Sequence, residues 1–366
     1  MKIDNISLVN FRNYEKLDVS FGKSLNIFYG KNGSGKTNLI EAIYILALTK
    51  SFRISNDKLL IKKGSIKSKV RGEIIKNDDS TKYAVVISNE GKTVEINDTK
   101  VDKISDYVSR INIILFNPVD TRLIDEAPVD RRKMLNIEIS QLNKEYLIIL
   151  ANYNRILKQR NFYLRSMYVN GNNDTNYLNI LTNKLIEYGL LINKYRSEFI
   201  QNINKYITEI YSSIFKSGEL KIKYVSSYNN KSSSKLLKSY QQNYKKEMEV
   251  GKTLIGIHHD DILFYLDNYN LKEWGSEGQR KNAIISFKLA EIKVINEIKK
   301  INPILILDDL FSELDKEKIG NILKLLDEDV QTFITTTEIN KVDKKILKNA
   351  KIFKVDNGTI KEDKHE

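Results

Sequence analysis

A chain of 366 residues, 41% hydrophobic and 29% charged, has enough apolar surface to fold as a globular protein and enough length for two lobes, or for one domain carrying an insertion. The absence of cysteine excludes disulfides, thiolate zinc sites and thiol nucleophiles, and three histidines leave little for a His-rich metal centre. The excess of 60 Lys plus Arg over 47 Asp plus Glu, a net +13, draws the chain toward polyanions, although Lys, Asn, Ile and Tyr crowd the whole sequence.

The N-terminus "MKIDNISLVNF" alternates, and no run reaches the ~18 apolar residues of a membrane span, so a cytoplasmic location is expected. Residues 3–10, 14–21 and 24–29 predict short strands, and "KTNLIEAIYILAL" predicts a helix from its spacing of Leu39, Ile40, Ala42, Ile43 and Leu46. Further strands are expected at "KVRGEII", "YAVVIS", "TVEIN" and "INIILF". From Pro128 the pattern changes. Ile139, Leu142, Tyr146, Ile149, Tyr153 and Ile156, resumed by Tyr163 and Met167 after the interruption at Arg160, form a coiled-coil seam. "NGNNDTN" turns the chain, and Leu178, Leu181, Leu185, Tyr188, Ile192, Tyr195 and Phe199 carry the seam back. Two antiparallel helices of roughly 40 residues would project about 60 Å. A polar loop and a basic helix close the insertion near residue 249. Strands at "DILFYL", "PILILDD" and "TFITTT" and a helix over 277–299 follow. The expected organisation is an α/β head formed by 1–127 together with 250–366, split by a helical arm over 128–249.

"GKNGSGKT", comprising Gly30, Lys31, Asn32, Gly33, Ser34, Gly35, Lys36 and Thr37, matches the phosphate-binding loop and lies between a strand and a helix, where its mechanism requires it. Glycines let successive N–H groups turn toward phosphate oxygens, and the helix N-terminus adds partial positive charge. Lys36 is expected on the β and γ phosphates and Thr37 on Mg²⁺. The apolar strand "PILIL" delivers Asp308 as the outer Mg²⁺ ligand and Asp309 as the carboxylate that orients or deprotonates attacking water; the alternative is that both cap the next helix. "NKVD", Asn340 to Asp343, has the form of a guanine-reading motif, but a GTPase also needs Asp-x-x-Gly, and "DDLF" lacks the glycine.

"SEGQ" before a helix, with Ser276, Gly278 and Gln279, makes a second anion-binding turn, or simply a capping box. It resembles the signature of ABC-type ATPases, and the order of P-loop, signature, Asp-strand and "SELD" (Ser312 to Asp315) resembles their heads. That resemblance implies an ABC-type P-loop ATPase head with an inserted antiparallel helical arm. It also implies that the signature faces the nucleotide of a second subunit, so that ATP joins a head-to-head dimer. The second carboxylate in related sites is usually Glu; Asp309 is one methylene shorter, which suits slow hydrolysis.

Nearly end to end, the chain resembles the RecF family of bacterial DNA replication and repair proteins, through "FRNY" (11–14), "GKNGSGKTNLIEAIY" (30–44), "SFR" (51–53), "APVDRR" (127–132), "GIHHDD" (256–261), "GSEGQRK" (275–281) and "LILDDLFSELD" (305–315). Departures from the family pattern are Val119, Glu126, Asn136, Ile257 and His259. The resemblance implies an ATP-modulated protein that dimerises with ATP and binds gapped or junction DNA. It implies work with RecO and RecR to load the recombinase RecA, and support of replication restart and the SOS response. It also places Arg12 and Asn13 near the nucleotide, although a turn between strands would use the same residues. DNA candidates read from charge are Arg131, Arg132 and Lys133 at the base of the arm, with Lys231, Lys235, Lys238, Lys245 and Lys246 farther on; the bland alternative is a solvated helix face. Trp274 is expected to pack rather than to stack on a base.

An ABC transporter ATPase subunit is the alternative, but it usually has a histidine after the strand occupied by "TFITTT". A chromosome-structuring ATPase needs a far longer arm, and a nuclease fusion needs another acidic cluster. A scaffold that binds ATP without hydrolysing it is the remaining competitor. The expected activity is a weak, DNA-stimulated ATPase.

Overall fold

The computed structural model describes residues 1–170, 174–216, 218–309, 316–327 and 329–363. The chain opens with β1 (Lys2–Phe11), β2 (Tyr14–Ser20), β3 (Leu25–Tyr29), α1 (Lys36–Leu48), β4 (Lys67–Lys76), β5 (Asp79–Ser88), β6 (Gly91–Ile96), β7 (Thr99–Val101), α2 (Ser105–Val108) and β8 (Ile113–Phe116). Next come α3 (Pro128–Leu142), α4 (Lys144–Asn170), α5 (Asn176–Phe215), β9 (Leu220–Val225) and α6 (Ser233–Val250). It ends with β10 (Asp261–Leu266), β11 (Tyr269–Asn270), α7 (Leu271–Trp274), α8 (Glu277–Lys299), β12 (Ile304–Leu307), α9 (Lys316–Leu325), β13 (Thr332–Thr336), α10 (Lys344–Lys348), β14 (Ala350–Asp356) and β15 (Thr359–Glu362).

These elements form two compact units, Met1–Arg122 with Glu209–Ser217 and Ile284–Glu366, and Leu123–Thr208 with Gly218–Ala283. The first holds two sheets. One is antiparallel, in the order β2-β1-β4-β5-β6-β7. The other runs β15-β14-β3-β13-β12-β8, parallel except for the hairpin strand β15. Strands from both ends of the sequence complete this sheet, so β3 is flanked by β13 and β14. Helix α1 packs on both sheets. Eleven of its thirteen residues are buried, which is why its sequence is apolar nearly all round. Phe28 of β3 stacks between Phe333 of β13 and Phe353 of β14, and Phe21 meets Phe28 and Phe333 edge-on.

In the second unit α4 and α5 run antiparallel, as the pairs Tyr146–Tyr195, Arg160–Thr182 and Tyr163–Tyr177 record. The outgoing helix is not continuous. It breaks at Asn143, whose side chain accepts the Glu145 N–H at 2.8 Å and starts α4 afresh, so 15 and 27 residues replace one long helix. The return helix α5 has 40 residues. Arg160, the interruption in the seam, is fully buried: it donates to Glu247 at 2.6 Å, Thr253 at 2.7 Å and Thr182 at 3.0 Å. Residues 250–283, assigned above to the head, fall in the second unit because β10 pairs with β9 and α3 packs on β10. Among the described residues no helix is long and apolar enough to cross a membrane.

Candidate nucleotide site

Strand β3 ends at Tyr29, and the chain curls through Gly30–Gly35 before α1 begins at Lys36 with no side chain capping it. Its first N–H groups therefore have no partner within the helix. Gly35 has φ +118, and a Cβ there would lie 2.8 Å from the Tyr14 hydroxyl and 2.9 Å from Asn13 Nδ2; only glycine fits. Lys36 is buried, and its Nζ donates to the carbonyls of Gly30 at 2.6 Å and Lys31 at 2.9 Å. Burial pushes its pKa down, opposed by the carboxylates of Asp309 and Asp308.

The loop meets the end of β12. Thr37 Oγ1 donates to Asp308 Oδ1 at 3.4 Å. Thr335, at the matching end of β13, donates from its hydroxyl to the same oxygen at 2.6 Å and accepts the Asp309 N–H at 2.9 Å. One hydroxyl thus orders both aspartates. Asp309 sits at φ 51, the left-handed region that Asp tolerates better than most residues and that often marks functional turns. Burial raises the Asp308 pKa, with Thr335 pulling against it and Asp309 adding to it. A cation beside this carboxylate would reverse that shift. A cleft of about 180 Å³ is lined by Asn32, Gly33, Gly35 to Asn38, Arg53, Asp309, Thr335 and Thr337.

Sequence reasoning missed Thr335, Glu41 and Arg53. Glu41 is fully buried in α1 and takes Arg12 Nε and Nη2, both at 2.8 Å, with Arg53 Nη1 at 3.6 Å. Arg53 Nη1 also donates to Asn38 Oδ1 at 2.9 Å. The signal was a glutamate inside an otherwise apolar helix, which demands a partner. Arg12 Nη1 donates to Leu59 O at 3.0 Å, and Arg12 is not among the residues lining the cleft. Asn13 reaches the loop from behind: Nδ2 donates to Ser34 O at 3.5 Å, and Oδ1 accepts from Asn38 at 2.8 Å.

Ser276, Gly278 and Gln279 are exposed at the start of α8 in the second unit. The Ser276 N–H donates to Gln279 Oε1 at 2.9 Å and the Gln279 N–H to Ser276 Oγ at 3.2 Å, a complete capping box. A Cβ at Gly278 would meet nothing within 4 Å. Arg280 secures the turn through Gly275 O at 2.7 Å and Leu271 O at 3.1 Å. Trp274, expected to pack, is 74% exposed. The four-residue helix α7 buries only Leu271 and leaves its last residue in solvent.

Arg131 requires a correction. It is 1% exposed, with Nε and Nη2 on Asp261 at 2.7 and 2.9 Å and Nη1 on the carbonyls of Leu123, Ile124 and Glu126, so all three nitrogens are engaged and the side chain does not present its charge to solvent. Arg132 is half-buried and donates to Asp260 O at 2.7 Å, while Lys133 is exposed and pairs with Asp130 at 2.7 Å. Lys231, Lys235, Lys238, Lys245 and Lys246 are exposed, the last four on the face of α6 opposite Leu236, Tyr240 and Tyr244. Among the departures, Asn136 accepts Tyr146 Oη at 2.7 Å and Arg196 Nη2 at 3.0 Å, Ile257 is buried, His259 lies 3.2 Å from Thr253 O, and Val119 is exposed. "SELD", Ser312 to Asp315, lies outside the described residues.

A parallel sheet with a phosphate loop after one strand and paired aspartates after another, joined to a helical insertion, defines an ABC-type P-loop ATPase head. The model of the RecF/RecN/SMC N terminal domain matches residues 2–361. The DNA replication and repair protein RecF of Listeria monocytogenes serotype 4b is 39% identical over 368 residues, covering 99% of this chain and 100% of that protein. RecF of Halalkalibacterium halodurans is 38% identical, covering 99% of each. The chain belongs to the RecF family of DNA replication and repair proteins. The structure of the recombination mediator protein RecF-ATP in the RecFOR pathway superposes with a TM-score of 0.91 at 29% identity, over 99% of this chain and 97% of that one. An SMC head bound to the C-terminal winged-helix domain of ScpA shares the fold, with a TM-score of 0.57 at 16% identity over 99% and 97% of the two chains.

Proposed function

We propose that this chain binds ATP with Mg²⁺ in the cleft at Lys36, Thr37, Asp308 and Asp309, and that occupancy controls a dimer on gapped or junction DNA in recombinational repair and replication restart. The observation that carries the reading is convergence: Thr37 and Asp308, 271 residues apart, bring their oxygens within 3.4 Å at the mouth of the loop. The residues suit the groups. Among the described residues the buried Ser34 hydroxyl has no hydrogen-bond partner, no side chain caps the helix start, and the hydrogen bonds of Lys36 Nζ go to carbonyls of the loop it would leave. Thr37 and Asp308 supply two hard oxygens for Mg²⁺, and Lys36 supplies charge for the β and γ phosphates. A bound Mg²⁺ would supply charge to neutralise the phosphates; Asp309 is the residue that would hold or accept the proton of attacking water, and its short side chain suits a weak ATPase.

The signature turn, with Ser276, Gly278 and Gln279, would serve the nucleotide of a second copy, making ATP the joint of a homodimer. Likeness to the recombination mediator protein RecF of the RecFOR pathway supports a place beside RecO and RecR, and with it the loading of a RecA-type recombinase and a cytoplasmic location. The test is Lys36→Met, which should abolish ATP binding in a fluorescent-nucleotide titration while leaving the melting temperature within a few degrees. Unchanged affinity would remove the site.

A further inference from the structure

The loop is braced from outside by the far end of the chain. β14 runs parallel to β3 with Lys354 level with Tyr29, so the segment after β14 must lie beside the loop after β3. Asp356 and Thr359 pair across a two-residue turn, Asn357-Gly358, whose φ values of 43 and 79 are those of a type I′ hairpin. The Gly358 N–H donates to Ser34 O at 3.1 Å. Asn13 Nδ2 reaches the same carbonyl at 3.5 Å, and Tyr14 Oη donates to the next one, Gly35 O, at 2.9 Å. Ser34 and Gly35 are adjacent residues of one tight loop. Gly35 O also accepts the Leu39 N–H at 3.0 Å, the first bond of α1, whereas Ser34 O is held by the turn and Asn13. In a trans peptide the N–H points opposite to the carbonyl, so fixing Ser34 O on these donors aims the Gly35 N–H the other way, and Gly35 lines the cleft. The turn has no room to move: a Cβ at Gly358 would lie 3.0 Å from the Asn13 carbonyl oxygen, and one at Gly30 would lie 2.2 Å from Val355 O.

We infer that Gly358 is a positioning residue for the nucleotide site: the β14–β15 turn, together with Asn13, holds the Ser34 carbonyl outward and so sets the phosphate loop in its anion-binding shape. The inference rests on the reading of the cleft as an ATP site. It assigns a role to a segment more than three hundred residues from the loop in sequence that is not itself part of the cleft lining. The pieces are coupled in both directions. A nucleotide that rigidifies the loop should also quieten the turn.

The experiment has two arms on the full-length protein. In the first, amide hydrogen exchange is followed with and without ATP and Mg²⁺; exchange at Gly358 should slow at least fivefold on nucleotide binding, although the turn lies outside the cleft. In the second, ATP dissociation constants are measured for the wild type, Gly358→Ala, Asn13→Ala and the double variant. Each single change should weaken binding about tenfold: Asn13→Ala removes a side-chain hydrogen bond to the loop, whereas Gly358→Ala keeps its N–H but places a Cβ 3.0 Å from the Asn13 carbonyl oxygen at a φ of +79 and so pushes the turn off Ser34 O. The double variant should lose clearly less than the product, because both act through one carbonyl. A simple loss of fold would lower the melting temperature without that non-additivity, and the exchange arm needs no variant. Wild-type protein that binds ATP with Gly358 exchange unmoved, or Gly358→Ala that binds as the wild type does, would overturn the inference. Wild-type protein that does not bind ATP at all would instead remove the site itself.

Discussion

His258 illustrates how one residue of the second unit is tied to pH. Its Nδ1 lies 2.8 Å from the Tyr153 hydroxyl and its Nε2 lies 3.1 Å from Thr253 O, a pair of bonds satisfied by the neutral ring protonated at Nε2. Burial, then the adjacent His259, then Arg132 and Arg160 depress its pKa from 6.5 to about 4, against the pull of the Thr253 carbonyl. A base whose folded pKa is depressed favours the unfolded state as protons are added. Its stabilisation is therefore complete above pH ~6.5 and lost as pH falls toward 4, by no more than about 3 kcal/mol. Melting temperatures recorded between pH 7 and 4 should fall more steeply for the wild type than for His258→Asn. Parallel profiles would show that this ring does not set the slope. Arg131, read from its charge as a DNA candidate, and Arg160, read as a break in the seam, are both among the most buried side chains, fixed by Asp261 and Glu247. Those partners lie 130 and 87 residues away, where no local pattern could pair them.

At the scale of elements, period was the dependable signal. The three-four alternation located α4, α5 and the last turn of α3, and Val- and Ile-rich runs located β1 to β6, β8, β10, β12 and β13. The break at Asn143 went unread because the apolar seam passes through it; a cap changes backbone direction without changing the hydrophobic pattern. Strand β9 and the hairpin β14–β15 were missed although "LKIKYV" alternates, since a lysine-rich strand with one wet face resembles the surrounding polar chain. Helix α6 shows what its lysines offer. Leu236, Tyr240, Tyr244 and Glu247 are buried along one side, leaving Lys235, Lys238, Lys245 and Lys246 in solvent on the other. If that face meets DNA phosphates, Lys235→Glu with Lys238→Glu should reduce the slope of log affinity against log salt by about 2, near 0.9 per lost contact on duplex DNA. Fluorescence anisotropy from 50 to 300 mM salt measures this. An unchanged slope would move the DNA interface elsewhere.

For the whole molecule, the phosphate loop and paired aspartates were legible because their spacing is dictated by phosphate and metal chemistry, whatever the surrounding fold. The residues that shape them were not, since Thr335, Glu41 and Gly358 act through contacts that only the folded sheet creates. The signature turn belongs to a third category. Its capping box is complete, so its local geometry is already satisfied; yet Ser276, Gly278 and Gln279 remain exposed, and Gly278 opens on empty space. A purely structural cap has no need of that exposure, whereas a surface that receives the phosphates of a second copy does. Ser276→Arg places a long cation where such a surface must close, and should leave ATP affinity within about twofold while abolishing ATP-driven dimers in sedimentation velocity. Trp274 provides an independent reading. It is the only tryptophan in the chain, is 74% exposed and precedes Ser276 by two residues, so dimer formation should shift its emission to the blue in the wild type and leave it unmoved in Ser276→Arg. A variant that still dimerises with ATP, or a wild-type dimer that forms with Trp274 emission unchanged, would return the turn to its local role as a helix cap.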